Sequence, residues 1–265
     1  MRAAQMKKTW KNWFAALLLA APLSSFAAGG GHYEPVDIDL GDQVSLQRGA
    51  QIFTNYCLSC HSASGMRYNR LQDLGLSEEE IKKNLMFTTD KVGEVMQSAM
   101  DPKDAERWFG KAPPDLTLIA RSRGADYLYA YMRGFYKDPT SATGWNNTVF
   151  DKVGMPHPLW EQQGIRAVEL DAEGNPVMEK DAHGNMVPKL YWESTGLKSR
   201  RLPNGDVVSR DYDNDMKDLV AYMVYMGEPA QIQRKQIGYI VLLFLFAVML
   251  PLAYFLKKEY WKDVH

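Results

Sequence analysis

The chain has 265 residues, 46% hydrophobic and 24% charged, which excludes disorder, collagen and coiled coil as whole-chain descriptions. Its 31 basic and 32 acidic residues leave a net charge of −1, with no basic surplus that would mark a nucleic-acid partner. Two cysteines, Cys57 and Cys60, exclude a disulfide scaffold and any zinc or iron–sulfur site needing four thiolates from this chain.

Residues 1–28 contain four basic groups (Arg2, Lys7, Lys8 and Lys11) and no acid. A short apolar run, Trp13 to Ala21, is followed by Pro22 and small residues ending at Ala27-Ala28. That order is the layout of a secretory signal. The apolar run is too short to cross about 30 Å of hydrocarbon.

The body that follows begins with a predicted helix, with Leu46, Gly49, Ala50 and Phe53 at helical spacing and Ser45 as its expected N-cap. The helix leads into Cys57-Leu58-Ser59-Cys60-His61, a C-x-x-C-H motif, which reads as covalent attachment of a c-type haem. Two thiols three positions apart on a helical turn can reach the two vinyl groups of one porphyrin. The adjacent His61 then supplies an imidazole to the iron as proximal ligand. A thioredoxin-like C-x-x-C wants a βαβ setting, which this sequence lacks, and a zinc site would need more ligands. Ser77-Glu78-Glu79-Glu80 opens a further helix as a capping box.

Ala112-Pro113-Pro114-Asp115-Leu116-Thr117 cannot continue a helix and could lie along a haem edge. Arg121 and Arg123 follow, the right species for paired hydrogen bonds to a carboxylate. Gly124 to Phe135 reads as a helix with Leu128, Tyr131, Met132 and Phe135 on one face. The sixth iron ligand is sought among His32, His157, His183, His265 and the methionines. Met96, Met100, Met132, Met216, Met223 and Met226 sit in helix-like stretches and are expected in the core. Met155 differs, because Val153-Gly154-Met155-Pro156-His157-Pro158 is held out of regular structure by its prolines and glycine. A rigid loop suits a long thioether bond to iron, so Met155 is the candidate, with His157 as the alternative or else a surface polar residue.

Residues 165–210 are polar and turn-rich and are expected to form a surface insertion with hairpins. Asp215 to Met226 carries the stripe Leu219, Tyr222, Met223 and Met226, an amphipathic helix. In a small haem-c domain the first and last helices cross closely, which Gly49 would permit. From Ile237 to Leu256 there are 20 residues without a charge, enough for one bilayer core of about 30 Å. Tyr239 and Tyr254 lie near its ends and Pro251 is expected to kink it. The expected order is signal at 1–28, haem domain at 29–236, transmembrane helix at 237–256 and cytoplasmic tail at 257–265. The body then holds 24 basic and 30 acidic residues, a charge of −6 suited to a basic diffusing partner.

Together these motifs resemble the cytochrome c1 family, the haem subunit of bacterial cytochrome bc1 complexes. The resemblance rests on Gln47-Arg48-Gly49 before CLSCHS, Arg67-Tyr68, APPDL, Asp126-Tyr127, Gly154-Met155-Pro156, and Gly227-Glu228-Pro229 ahead of Arg234-Lys235 and the anchor. It implies a mainly α, class I cytochrome c-like domain with a long loop and hairpin insertion and one C-terminal membrane helix. It implies one haem c held by Cys57 and Cys60, axial ligands His61 and Met155, Pro114 against the ring and Arg123 on a propionate. The implied partners are cytochrome b and the Rieske iron–sulfur protein in a dimeric inner-membrane complex, with a soluble cytochrome c as acceptor. The segment Arg123 to Asp126 is shorter than usual for the family. A free-standing tethered electron shuttle in the periplasm is the alternative.

Overall fold

The computed structural model describes residues 33–180, 184 and 186–262. The signal segment, His32, His183 and the last three residues, including His265, lie outside them. Helix α1 (Gln43–Ile52) starts one turn earlier than Ser45, because the Asp42 carboxylate caps it by accepting from the Ser45 N–H at 3.0 Å. Ser45 is therefore inside the helix, where its hydroxyl donates to Asp218. A wide π turn at Phe53–Cys57 carries the chain into the C-x-x-C-H segment.

Helix α2 (Glu78–Asn84) opens with the predicted capping box, Ser77 and Glu80 satisfying each other's terminal N–H groups. Between α1 and α2 lie the short strand β1 (Ala63–Arg67) and a 3-10 turn, Tyr68–Leu74. Strand β2 (Val95–Met96) pairs with β1, and α3 (Pro102–Phe109) follows. Helices α4 (Ile119–Arg123) and α5 (Ala125–Arg133) break at Gly124, whose φ of 88° a side chain resists. Helix α5 stops short of Phe135. That residue instead begins β3 (Phe135–Lys137), pairing with β4 (Trp145–Asn147).

A single turn, α6 (Trp160–Gln163), precedes β5 (Gly164–Val168), which runs parallel to β3 and pairs antiparallel with β8 (Leu190–Thr195). The hairpins β6 (Met178–Lys180) with β7 (Met186–Pro188), and β9 (Arg200–Arg201) with β10 (Val207–Val208), complete the excursion. The insertion is thus tied into a four-stranded sheet, β4-β3-β5-β8, which it shares with the methionine-bearing part of the chain. Pairing across more than twenty residues is not visible to a local reading of turns.

Helix α7 (Arg210–Gly227) is the spine of the domain, and α1, α4 and α5 pack on it. Where α1 crosses it, a Cβ placed on Gly49 would stand 2.1 Å from the Asp218 carbonyl oxygen and 2.7 Å from the Tyr222 Cβ. Only hydrogen fits there, as the haem-c reading of the motif leads one to expect. Phe53 and Tyr222 meet beside the crossing at 5.6 Å. Fully burying a side chain such as Phe53 stabilises by about 1.5–3 kcal/mol. The crossing is also pinned by charge, since the buried Asp218 accepts from Ser45 and Arg48 on α1.

Beyond α7 one continuous helix runs Gln231–Tyr260, with none of its apolar window buried against the rest of the chain. Its parts are α8 (Gln231–Phe244), a π turn at Leu245–Met249 and α9 (Leu250–Tyr260). Pro251 explains the π turn: it has no N–H for the carbonyl four residues back, and its ring presses on that carbonyl. Widening the preceding turn relieves the clash, in place of a break. The helix therefore runs on past both ends of the uncharged stretch.

Candidate functional site: a cleft between the C-x-x-C-H turn and a methionine loop

The C-x-x-C-H segment closes as a helical turn, with the N–H groups of Cys60 and His61 donating to the Cys57 carbonyl at 3.1 and 2.8 Å. Cys57 is buried and burial pushes its thiol up to about 12, whereas Cys60 is half-buried. Cys60 and His61 face a cleft of about 290 Å³ lined also by Tyr56, Phe109, Pro113, Pro114, Phe150 and Met155. Its surface is mostly apolar.

His61 is oriented by Pro114. Its Nδ1 lies 2.8 Å from the Pro114 carbonyl, an acceptor, so Nδ1 carries the proton and Nε2 keeps its lone pair. Burial lowers the pKa of the imidazole, outweighing the Pro114 carbonyl and Asp115, and holds it neutral. A neutral imidazole with one nitrogen tied to a carbonyl is the form that ligates a metal. Pro114 is itself placed through Asp115, whose carboxylate accepts from the Ser64 and Thr117 N–H groups at 2.7 and 2.8 Å.

Met155 reaches the same cleft from a loop that adjacent buried asparagines hold. Asn147 donates to the Tyr131 carbonyl at 2.8 Å and accepts from the Val149 N–H at 2.8 Å. Asn146 accepts from the N–H of Lys152 at 2.8 Å and donates to Asp138 and Asp151. Lys152 sits at φ 56°, a left-handed conformation in which this tether holds it. The Tyr131 hydroxyl lies 3.6 Å from the Met155 sulfur.

His157, the alternative ligand, is neither in the cleft nor on the surface. It is 2% exposed, stacked on Phe135 at 4.6 Å and flanked by Trp145 and Tyr212. Its Nε2 donates to the Gln163 side-chain oxygen at 2.6 Å, and burial depresses its pKa to about 3. It anchors the chain beyond Met155 as a neutral ring. Arg123 is exposed at the end of α4, its guanidinium 5.6 Å from the centre of the Tyr127 ring, and does not line the cleft. Arg121 instead approaches Glu228 at 4.0 Å. The structure therefore brings together Cys60, His61, Pro114 and Met155, with Cys57 buried behind them. Sequence reasoning missed Tyr131, Asn146 and Asn147, and only the unusual Asn-Asn pair ahead of the methionine loop could have drawn attention to them.

The donor set fits a c-type haem: two free thiols on one turn, a neutral imidazole, a thioether and apolar walls. A mainly helical domain with such a cleft and one exposed apolar C-terminal helix defines a membrane-anchored haem protein of the c type. The sequence model of the Cytochrome C1 family matches residues 38–264. The chain belongs to that family, the electron-transfer haem subunit of bc1 complexes. A cytochrome c1 of Allochromatium vinosum is 45% identical over 253 residues, covering 95% of this chain and 98% of that one. A protein of Nitrosomonas europaea named ammonia monooxygenase gamma subunit is 46% identical, over 94% of this chain and 97% of its own length. A cytochrome c1 of Rhodospirillum rubrum is 28% identical over 84% of this chain and 83% of its own.

Proposed function

We propose that this chain takes electrons one at a time from the Rieske iron–sulfur protein of a ubiquinol–cytochrome c oxidoreductase and passes them to a soluble c-type cytochrome. Haem c, when bound, supplies the one-electron couple. The chain's own residues do the rest, with no bond made or broken in a substrate on this chain. Cys57 and Cys60 would hold the macrocycle by thioethers, and His61 and Met155 would ligate its iron. Pro114, whose carbonyl aims His61, would lie against the ring. Arg123, exposed beside Tyr127 and outside the cleft lining, would pair with a propionate. A histidine with a methionine favours a relatively high potential, which lets quinol oxidation run downhill. The observation that carries this reading is the meeting of the Cys60-His61 pair with Met155, far away in sequence, in one apolar cleft.

In this reading residues 1–28 direct export, 29–236 form the haem domain in the periplasm, 237–256 cross the inner membrane and 257–265 stay in the cytoplasm. Cytochrome b and the Rieske protein are neighbours in a dimeric complex. The charge of −6 on the exported body favours a basic soluble acceptor.

Two measurements test the reading. Met155→Ala is expected to lower the haem potential and open the iron to carbon monoxide, and an unchanged spectrum and potential would remove Met155 as ligand. Purifying the full chain through a tag in mild detergent is expected to bring haem b and an iron–sulfur signal in fixed ratio to haem c. Haem c alone would favour a tethered shuttle instead.

A further inference from the structure

Resting on the reading of Met155 as axial ligand, one neighbour of its sulfur acquires a role. The Tyr131 hydroxyl stands 3.6 Å from Sδ, a hydrogen-bonding distance for the larger sulfur atom. Among the described residues that sulfur is the hydroxyl's only hydrogen-bond partner. A thioether has two lone pairs, so one can serve a metal while the other accepts from a donor.

The contact is held by structure on both sides. The Tyr131 ring stacks on Tyr127 at 6.0 Å and takes Phe135 edge-on at 5.3 Å, so it has little freedom to swing away. Its carbonyl is tied to the Asn147 side chain, whose oxygen also accepts from Val149 at the head of the methionine loop. Donor helix and acceptor loop are thus fastened at one buried asparagine, 2% exposed, which fixes the separation of hydroxyl and sulfur. Tyr129, two residues away on the same helix, lies instead under the Arg133 guanidinium at 4.5 Å.

We propose that Tyr131 is a positioning residue that tunes the redox centre: its hydroxyl donates to the second lone pair of the Met155 sulfur, raising the potential and holding the thioether in place. The electrostatics give the sign. A donor on the sulfur withdraws density from the ligand and so stabilises the electron-rich ferrous form over the ferric one. Removing the donor lowers the potential.

The test uses the full chain in its detergent-solubilised membrane complex, with the haem c midpoint potential and the ferric sulfur-to-iron charge-transfer band as readouts. Tyr131→Phe keeps the ring packing and deletes only the hydroxyl. It is expected to favour the ferric form roughly threefold, a fall of about 28 mV at about 59 mV per tenfold for one electron, and to shift the band. Tyr129→Phe is expected to change neither. If Met155→Ala alters the spectrum while Tyr131→Phe leaves potential and band unchanged, the hydroxyl has no such role and the ligand assignment stands. If Met155→Ala also leaves them unchanged, the ligand assignment falls and this role with it. An equal shift in Tyr129→Phe would overturn the role too, by marking the change as one of helix packing.

Discussion

Cys60 and His61 reach the cleft on one continuous turn that begins at the buried Cys57, whereas Met155 reaches it on a loop that needs partners from α5, β3, β4 and α6. The first segment is local: hydrogen bonds from Cys60 and His61 back to Cys57 set the spacing of thiols and imidazole. Only one distant group, the Pro114 carbonyl, is required to aim the ring. The second segment has no ladder of its own. Asn146 and Asn147 supply the backbone partners that a helix or strand would have given, and His157 is clamped between Phe135 and Gln163 to fix the far end. A ligand on a helix is positioned by its sequence neighbours, and a ligand on a loop by the tertiary structure.

That contrast can be broken at several points, beginning with the motif itself. The double variant Cys57→Ser, Cys60→Ser is expected to lose covalent haem entirely, read as the absence of a haem-stained band at this chain's mass on a denaturing gel. A retained band would refute the thioethers.

Gly49→Ala attacks the support shared by both segments. A methyl 2.1 Å from the Asp218 carbonyl forces α1 off α7, a backbone clash that no side-chain rotation relieves. Overpacking costs of this kind reach about 3 kcal/mol. The expected result is a clearly lowered melting temperature of the complex-bound chain, and an unchanged one would mean the helices do not cross there.

Asn147→Ala touches only the methionine side. Leaving the Val149 N–H and the Tyr131 carbonyl unpartnered costs about 1–3 kcal/mol. Carbon monoxide binding to the ferrous protein is expected to rise while the haem stays covalently attached. A variant that binds no carbon monoxide would show that the loop does not depend on this tether.

The smallest effect belongs to the Asp115 side, through pH. Burial opposes ionisation of this carboxylate, but the hydrogen bonds from Ser64 and Thr117 outweigh it and hold its pKa below the ordinary range. A depressed carboxylate contributes stability that is present above the unfolded-state pKa, about 3.9, and is lost as pH falls through the folded value. Asp115→Asn is therefore expected to lower the melting temperature slightly at pH 7 and to converge with the parent as pH falls below the depressed folded-state pKa of the carboxylate. A constant difference across that range would assign the effect to packing.

Much of this molecule was legible in the chain. The C-x-x-C-H turn, the capping box at Ser77 and the anchor are set by spacings of four residues or fewer, or by an unbroken apolar run, and the close crossing at Gly49 was expected from the haem motif alone, its partner Asp218 lying far along the chain. Met155 could be singled out because its prolines exclude regular structure. What local pattern could not give was the N-cap, which moved from Ser45 to Asp42 because Ser45 serves Asp218 across the helix crossing. Nor could it give the end of α5, where Phe135 leaves the helix to pair with Asn147. His157 reads as a polar residue between prolines, yet the fold buries it. An aromatic stack and one amide oxygen are enough to hold a neutral imidazole, and those partners come from separate elements.

By itself, then, the sequence determined the chemistry on offer: two thiols and an imidazole at fixed spacing, a thioether on a rigid loop, and an apolar helix long enough for a bilayer. Short-range geometry and composition suffice for these. Only the tertiary structure decided that the imidazole and the thioether share one cleft, that an asparagine pair and a tyrosine hold the sulfur, and that Arg123 leans on Tyr127. Those outcomes depend on contacts between residues far apart in the chain, whose partners are chosen by the packing of the whole domain.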